Sequence, residues 1–286
     1  MSAIRQSYSP EGLEFGPRRQ SFDIAATLAT DWHGGSAFRT AWFNGMSMLF
    51  PLGEKFFIDS VRHFAGEIVD PQLKAEISAF QAQEASHRRQ HQNYNETLCE
   101  LRGYDLARIE RNERERIDWA YRNLSARQRL AGTTASEHLT AILANEMLTN
   151  RQSMQDADPG IASLWRWHGI EETEHKAVAF DVHVAIGGTI RERRRALLLN
   201  TFFFLKDTFR NLCIMLQKDG KLWSVREWAS GFKYLFLKPG VLRRVFMPWL
   251  RFLRKDFHPW EHDNRDLVTA WEEETANANS RTIEAS

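Results

Sequence analysis

The chain has 286 residues, of which 43% are hydrophobic and 26% charged, and its formal net charge is +1. This composition is typical of a globular protein with a sizeable core, and it excludes general disorder and a bulk electrostatic attraction to nucleic acid. The two cysteines provide neither a disulfide framework nor a zinc knuckle, and the N-terminus lacks the apolar core of a signal peptide. We therefore expect a cytoplasmic protein.

Proline and glycine divide the first half of the chain into segments. Residues 1–20 contain several of both without hydrophobic periodicity, which predicts a flexible N-terminal arm. Pro51 is expected to open a helix, because proline is tolerated in the first helical turn. Asp70 followed by Pro71 combines a helix cap with a helix start, so a second helix is predicted from there to about Leu101.

Three further helices follow in chain order. Residues 109–124 are strongly charged, and we interpret them as a helix that serves as a solvated connector. Ser125 caps a predicted helix that runs to residue 150. The Asp-Pro pair at residues 158–159 repeats the cap-and-proline start, and this helix is expected to run to the glycines at 187–188.

The last third of the chain is different in character. Thr189 is expected to cap a helix to about Lys218, which starts an extension over residues 189–270. Residues 231–255 contain seven Lys or Arg and no acid among many aromatic residues. They either form short helices packed on the rest of the protein or lie in a membrane interface, at the inner face of the membrane. Residues 271–286 are predicted to be a polar tail. No run alternates as a strand would, so the predicted fold class is all-α.

A stripe of metal-ligand types lies in the helix after Pro159. At 100° per residue, His168, Glu172 and His175 fall on one narrow face of this helix. Glu171 lies at the edge of this face, and Glu174 points away from it. Two imidazoles and a carboxylate in an apolar context would be costly to bury unless a cation neutralised them.

The same pattern occurs earlier in the chain. Glu84-x-x-His87 matches Glu172-x-x-His175, and each pair is preceded by a further glutamate about 30–35 residues upstream. A Glu followed by Glu-x-x-His, used twice, is the ligand plan of ferritin-like dimetal bundles. The predicted architecture is therefore a ferritin-like four-helix bundle over residues 21–188 with additional C-terminal helices. The predicted metal ligands are Glu54, Glu84, His87, Glu137, His168, Glu172 and His175.

The composition of the ligand set limits the metal. Carboxylates and imidazoles without a thiolate favour two divalent ions, iron first and manganese second. Four glutamates would balance the charge of two such ions. His91, one turn beyond His87, could bind a metal or support a ligand, and Asp181 could orient a ligand imidazole.

Four motifs together resemble a bacterial family called predicted metal-dependent hydrolases. They are residues 50–57 around Glu54, 83–87, 137–141, and 167–181 around Glu172, and the likeness extends over roughly residues 20–265. The resemblance implies a metal site first and hydrolysis second. The ligand spacing is also similar to that of di-iron N-oxygenases of arylamines, which add a third histidine one turn before the last Glu-x-x-His, where His168 stands here.

The first functional hypothesis is that two ferrous ions use O2 to oxidise a small or lipid-like organic substrate. An electron-donor protein would then be a partner, and the aromatic residues would line an apolar pocket. The alternative is hydrolysis of an ester or phosphoester by a metal-activated water. A second alternative is a metal-binding helical protein without catalysis. None of these uses nucleic acid, and the catalytic residues and the oligomeric state stay open.

Overall fold

The computed structural model describes residues 6–284, and it describes side chains as far as residue 276. Within this part of the chain there is no strand, and His33 and Ala157 form an isolated antiparallel bridge. The predicted all-α fold class is therefore confirmed. The helices are α1 (Ala25–Leu28), α2 (Ala37–Ser47), α3 (Phe50–Arg62), α4 (Pro71–Arg102), α5 (Leu106–Asn123), α6 (Ala126–Thr149), α7 (Pro159–His175), α8 (Val178–Ala185), α9 (Ile190–Lys218), α10 (Val225–Phe232), α11 (Val241–Arg251) and α12 (Arg265–Glu284), with a π-helical turn at Lys233–Leu237 and 3₁₀ turns at Arg151–Ser153 and Pro259–Glu261.

The helix termini follow the local sequence signals. The Asp70 side chain accepts a hydrogen bond from the Gln72 N–H at the start of α4. At the end of α4, Gly103 adopts a left-handed conformation (φ +65°), which glycine reaches without a Cβ penalty. Ser125 and Thr189 each form a capping box at the start of α6 and α9. The helix that begins at Pro159 ends at His175, however, and α8 continues after a short break instead of one helix reaching residue 187.

Four helices surround a common interior. α3 packs against α4 and α6, and α7 packs against α4 and α6. Apolar clusters lie on both sides of this interior. One includes Trp42, Tyr94 and Trp165, and the other includes Phe80 and Leu130. The polar side chains of the four helices are therefore enclosed between two apolar cores.

The charged helix α5 is more than a solvated connector. Glu110 and Glu113 are buried on one of its faces, and that face is turned toward α3 and α9. The interpretation of residues 109–124 as fully solvated is therefore wrong for this face. With this face, α5 covers part of the protein interior next to α3 and α9.

Residues 6–24 contain no regular secondary structure and lie against the helices. Backbone N–H groups of Gln6 and Ser7 donate to the Asp70 carboxylate, and Arg18 forms an ion pair with Glu174. Residues 1–5 of the predicted arm and residues 285–286 of the predicted tail lie outside the described part. The domain boundaries proposed from the sequence stay a prediction.

The basic C-terminal segment packs on the helical body. α10 contacts α2, and α11 contacts α6. Several of its apolar side chains are nevertheless exposed, among them Phe246 (55%) and Met247 (59%) on α11. No helix in the described residues has the length and hydropathy needed to cross a membrane. Membrane-surface contact through residues 231–255 stays a prediction.

We expect the protein to co-sediment with vesicles containing anionic lipid at low salt, and this binding to weaken as salt is raised, because the segment is basic and exposes apolar side chains. The double variant Phe246→Ser/Met247→Ser should reduce the pelleted fraction. The variant Val69→Ser/Leu101→Ser, which removes comparable exposed apolar area outside this segment, should pellet like wild type. Equal pelleting of both variants, or no binding at low salt, would contradict the prediction.

Candidate metal centre

The seven side chains predicted as metal ligands come together in the interior between α3, α4, α6 and α7. All are buried. Potential ligand atoms of Glu84, Glu137 and His175 lie within 4.8 Å of one another, and three further groups of three meet the same limit. These groups are Glu54 with Glu84 and His87, His87 with His168 and Glu172, and Glu54 with His91 and His168.

The His175 ring is oriented by Gln83. The side-chain N–H₂ of Gln83 donates to Glu174 and to the Gly16 carbonyl, so its Oε1 is the acceptor that lies 2.9 Å from Nδ1 of His175. Nδ1 of His175 therefore carries the hydrogen. The other ring nitrogen, Nε2, lies 3.2 Å from Oε1 of Glu84, 3.5 Å from Oε2 of Glu137 and 3.6 Å from Oε1 of Glu172.

The His87 ring is oriented by Glu171. Its Nε2 lies 3.0 Å from Oε2 of Glu171, a carboxylate that also accepts hydrogen bonds from the Trp167 indole and the Arg18 backbone. Nε2 is therefore the donor in this contact. Nδ1 of His87 faces the interior, 3.6 Å from Oε1 of Glu84 and 3.7 Å from Oε1 of Glu172.

A chain of hydrogen bonds orients His168. The Asn95 amide donates to the Ser47 carbonyl, so its Oδ1 accepts from the Ser47 hydroxyl. Ser47 Oγ in turn accepts from Nδ1 of His91, and Nε2 of His91 accepts from Nδ1 of His168 across 2.7 Å. Nε2 of neutral His168 is left without a hydrogen, and it lies 3.0 Å from Oε1 of Glu172. His91 thus supports His168, one of the two roles that the sequence allowed.

The carboxylates of the centre have few partners of their own. Neither oxygen of Glu54, Glu84 or Glu137 has a hydrogen-bond partner in the described residues, and the same holds for Nδ1 of His87 and Nε2 of His175. Buried polar atoms are rarely left without a hydrogen bond. Each unpaired atom destabilises the folded protein by about 1–3 kcal/mol, and a charged one by more. Lone pairs of three imidazoles and four carboxylates therefore converge on one space, and this arrangement requires protons or cations between them. These carboxylates and imidazoles are suitable ligands for divalent metal ions.

The pKa directions agree with this requirement. Burial and the neighbouring Glu84 raise the pKa of Glu54 well above its usual range, and burial with Glu84 and Glu172 does the same for Glu137. Burial would lower the pKa of His87, but its hydrogen bond to Glu171 and the negative charge of the nearby Glu84 outweigh burial and raise the pKa to about 10. Protons are thus held at these positions when no other cation is bound.

Several supporting residues were missed by the sequence reasoning. The helical spacing puts Glu171 at the edge of the stripe and Glu174 away from it, and predicts a role for neither. In the structure Glu171 orients His87, and Glu174 links Gln83 to the Arg18 guanidinium. Gln83 immediately precedes Glu84, but spacing alone gave no signal for it. Asp181 does not orient a ligand imidazole. Its carboxylate pairs with His258 and accepts from the Tyr8 backbone.

Two cavities meet beside the centre. The larger has a volume of about 220 Å³ and lies between α3, α5, α6 and α9. The smaller, about 50 Å³, is lined mainly by apolar and aromatic side chains together with His168 and Glu172. Phe50, Thr140 and Phe204 border both cavities, and the Thr140 hydroxyl donates to Oε2 of Glu172. Thr140 therefore connects the larger cavity to the candidate centre.

We expect Gln83→Leu to weaken binding of a divalent metal by about 10–100-fold, because His175 loses the acceptor that orients its ring. Equilibrium dialysis followed by elemental analysis measures this. Gln90→Leu is the matched control, since Gln90 lies two turns further along α4 and donates to the Gln20 carbonyl instead. Equal metal affinity in the two variants would show that Gln83 does not orient a ligand.

The chain was compared with protein families, curated proteins and solved structures. Neither the curated proteins nor the solved structures contain a match to the chain. The family described as predicted metal-dependent hydrolase matches residues 16–263, a range that includes all seven predicted ligands and the residues that orient them. The chain therefore belongs to the family of predicted metal-dependent hydrolases.

Proposed function

We propose that this protein is a metal-dependent hydrolase with two divalent ions in a ferritin-like arrangement, held by Glu54, Glu84, His87, Glu137, His168, Glu172 and His175. The observation that carries the proposal is the convergence of unpartnered lone pairs. Each of the three imidazoles donates its outward N–H to an acceptor and leaves its other nitrogen facing the carboxylates. A histidine that binds a metal has the same arrangement: one ring nitrogen donates its hydrogen to a neighbouring acceptor, and the other, without a hydrogen, faces the metal.

The distances suggest how the ligands divide between two ions. Glu84 and Glu172 could serve both ions, because each approaches both His87 and His175. Glu137 lies with His175 on one side, and Glu54 lies with His87 on the other. Four ionised glutamates would balance two divalent charges, whereas a single ion would leave buried negative charge.

When bound by these residues, divalent ions would supply a water of lowered pKa and polarisation of a carbonyl or phosphoryl oxygen. The chain's own residues hold the geometry for this chemistry. Thr140 fixes one oxygen of Glu172 by its hydroxyl, and Gln83 and Glu171 prevent the imidazoles from rotating. The family description favours this hydrolytic function over the O2 chemistry that the ligand spacing suggested first.

Oxidation of an organic substrate by O2 at two ferrous ions is the second candidate. It is favoured by the small cavity beside His168 and Glu172, whose lining is mainly aromatic and aliphatic, because an apolar pocket protects a reactive oxidant from water. This reaction would need iron and an electron donor. Hydrolysis can proceed with manganese or zinc and without oxygen.

We expect protein loaded anaerobically with Mn²⁺ or Zn²⁺ to release p-nitrophenol from p-nitrophenyl octanoate or p-nitrophenyl phosphate. Glu84→Gln should reduce this to the background rate and lower metal content, because one shared carboxylate is lost. Glu76→Gln is the matched control. Glu76 is also buried on α4, but it accepts a hydrogen bond from Ser7 instead of facing the centre.

Different outcomes separate the candidates. Bound metal without hydrolysis, combined with oxygen uptake and an absorption change on adding air to the Fe²⁺ form, would favour oxidation. Full metal content in Glu84→Gln would contradict the ligand assignment. Failure to bind any divalent metal after reconstitution would overturn both functions.

We expect metal binding at pH 7 to release about one proton per chain or more, and the affinity to fall as the pH is lowered. The raised pKa of His87, about 10, means that its imidazole is protonated in the metal-free protein at pH 7, whereas a metal binds only the neutral ring. Titration in weak buffer with a pH indicator measures the release, and metal-saturated protein is the control. Equal affinity at pH 6 and pH 8 would contradict this prediction.

A further inference from the structure

The larger cavity beside the candidate centre is enclosed by four helices and leads toward it. It follows α6 from Arg129 at its outer end to Thr140, eleven residues later, which corresponds to about 16 Å of helix. Trp119, Leu124 and Gln128 surround the outer end, where the chain is partly exposed. Thr140 at the inner end contacts Glu172. The cavity therefore joins the protein surface to the centre.

Two glycines line this cavity, where a larger side chain would take up part of its volume. Gly53 on α3 and Gly132 on α6 both lie inside helices and both line it. A Cβ atom at Gly132 would meet nothing closer than 3.7 Å, and one at Gly53 nothing closer than 3.6 Å, which are ordinary contacts. Alanine would fit at both positions and would favour the helix more than glycine does.

Gly45 shows what a packing glycine looks like in the same protein. A Cβ atom there would lie 3.0 Å from the Thr208 carbonyl oxygen, so α2 and α9 can approach closely only because the side chain is missing. No such close approach explains Gly53 or Gly132. Their effect is to leave volume in the cavity unfilled.

One polar group in the cavity has no partner. Glu113 on α5 is only 6% exposed, and its Oε2 makes no hydrogen bond within the described residues. Its other oxygen points toward Gly53, the neighbour of Glu54. Burial raises the pKa of Glu113 well above its usual range, so the carboxyl can donate as well as accept a hydrogen bond. The rest of the lining is mainly apolar, including Phe56, Phe57 and Phe203, and the charge of its Arg116 is paired with Asp207.

We propose that this cavity binds the substrate, and that the substrate is an uncharged molecule with an aryl or alkyl body and one hydrogen-bonding group. The polar group pairs with Glu113 near the centre, and the apolar body extends along Phe56 and Phe203 toward the outer end. The proposal rests on the proposed function for the reaction, but the binding it describes can be measured separately. For hydrolysis it implies an apolar ester as the substrate class.

The test uses metal-loaded protein and isothermal titration calorimetry with 1-octanol, which has an alkyl body and one hydroxyl group. Gly132→Leu fills the cavity and is expected to lower the affinity for 1-octanol by about tenfold or more, with unchanged metal content and helicity. Gly132→Ala adds only a methyl group that meets ordinary contacts. It should bind 1-octanol like wild type and unfold at a Tm about 2–4 °C higher.

A second pair of probes tests the role of Glu113. Glu113→Leu should lower the affinity for 1-octanol by about tenfold, while toluene, which has no hydrogen-bonding group, should bind at least as well as to wild type. Wild-type affinity of Gly132→Leu for 1-octanol would overturn the cavity as the binding site. Equal losses for octanol and toluene in Glu113→Leu would overturn the polar contact.

The outcomes also separate this proposal from the proposed function. Binding of 1-octanol that depends on Gly132, without hydrolysis of any ester by any metal form, would leave the cavity as a binding site and reject the hydrolase. Hydrolysis of p-nitrophenyl octanoate that is unchanged in Gly132→Leu would support the hydrolase and reject the cavity.

Discussion

The structure depends on how the negative charge of buried carboxylates is balanced in its interior. Four carboxylates and three imidazole nitrogens face one another between α3, α4, α6 and α7, with almost no hydrogen bonds of their own. Such a group of lone pairs is stable in an apolar interior only when cations or protons lie among them. The surrounding residues act on the outward side of each ring, where Gln83, Glu171 and His91 accept the imidazole hydrogens.

Neighbouring glutamates in α7 illustrate how the helix separates two roles. Glu172 faces the centre and is approached by all three histidines, while Glu171 faces away from it and holds His87 by a hydrogen bond. Glu171 is stabilised differently, since it accepts hydrogen bonds from the Trp167 indole and the backbone of Arg18, whose guanidinium lies 3.9 Å from its carboxylate. The N-terminal segment therefore takes part in the centre through Arg18, which also pairs with Glu174. A carboxylate can be buried here with or without a metal, depending on the donors around it.

The two sides of the interior differ in a way that bears on function. On one side, Gln83 and the segment that carries Arg18 close the centre with a network of hydrogen bonds. On the other side, α5 and α9 leave a cavity that ends at Thr140 and Phe50. In the described part of the chain, the cavity that reaches the centre therefore lies on the side where apolar side chains predominate. Both hydrolysis of an apolar ester and oxidation of an apolar molecule are compatible with that access, and the metal and the requirement for oxygen distinguish them.

The sequence predicts most of the long helices and the seven residues that meet in the interior, but it does not predict the break between α7 and α8. Caps such as Asp70 and Ser125 are local signals, and the spacing of Glu-x-x-His places both side chains on one helix face whatever the tertiary fold. The groups that orient the imidazoles become visible only in the folded protein, because Gln83, Glu171 and Asn95 meet their partners across different helices and no sequence period marks them. The same holds for Glu113, which lies in a run of charges typical of a solvated helix. Its burial results from the packing of α5 over α3 and α9, a long-range contact that local sequence does not encode.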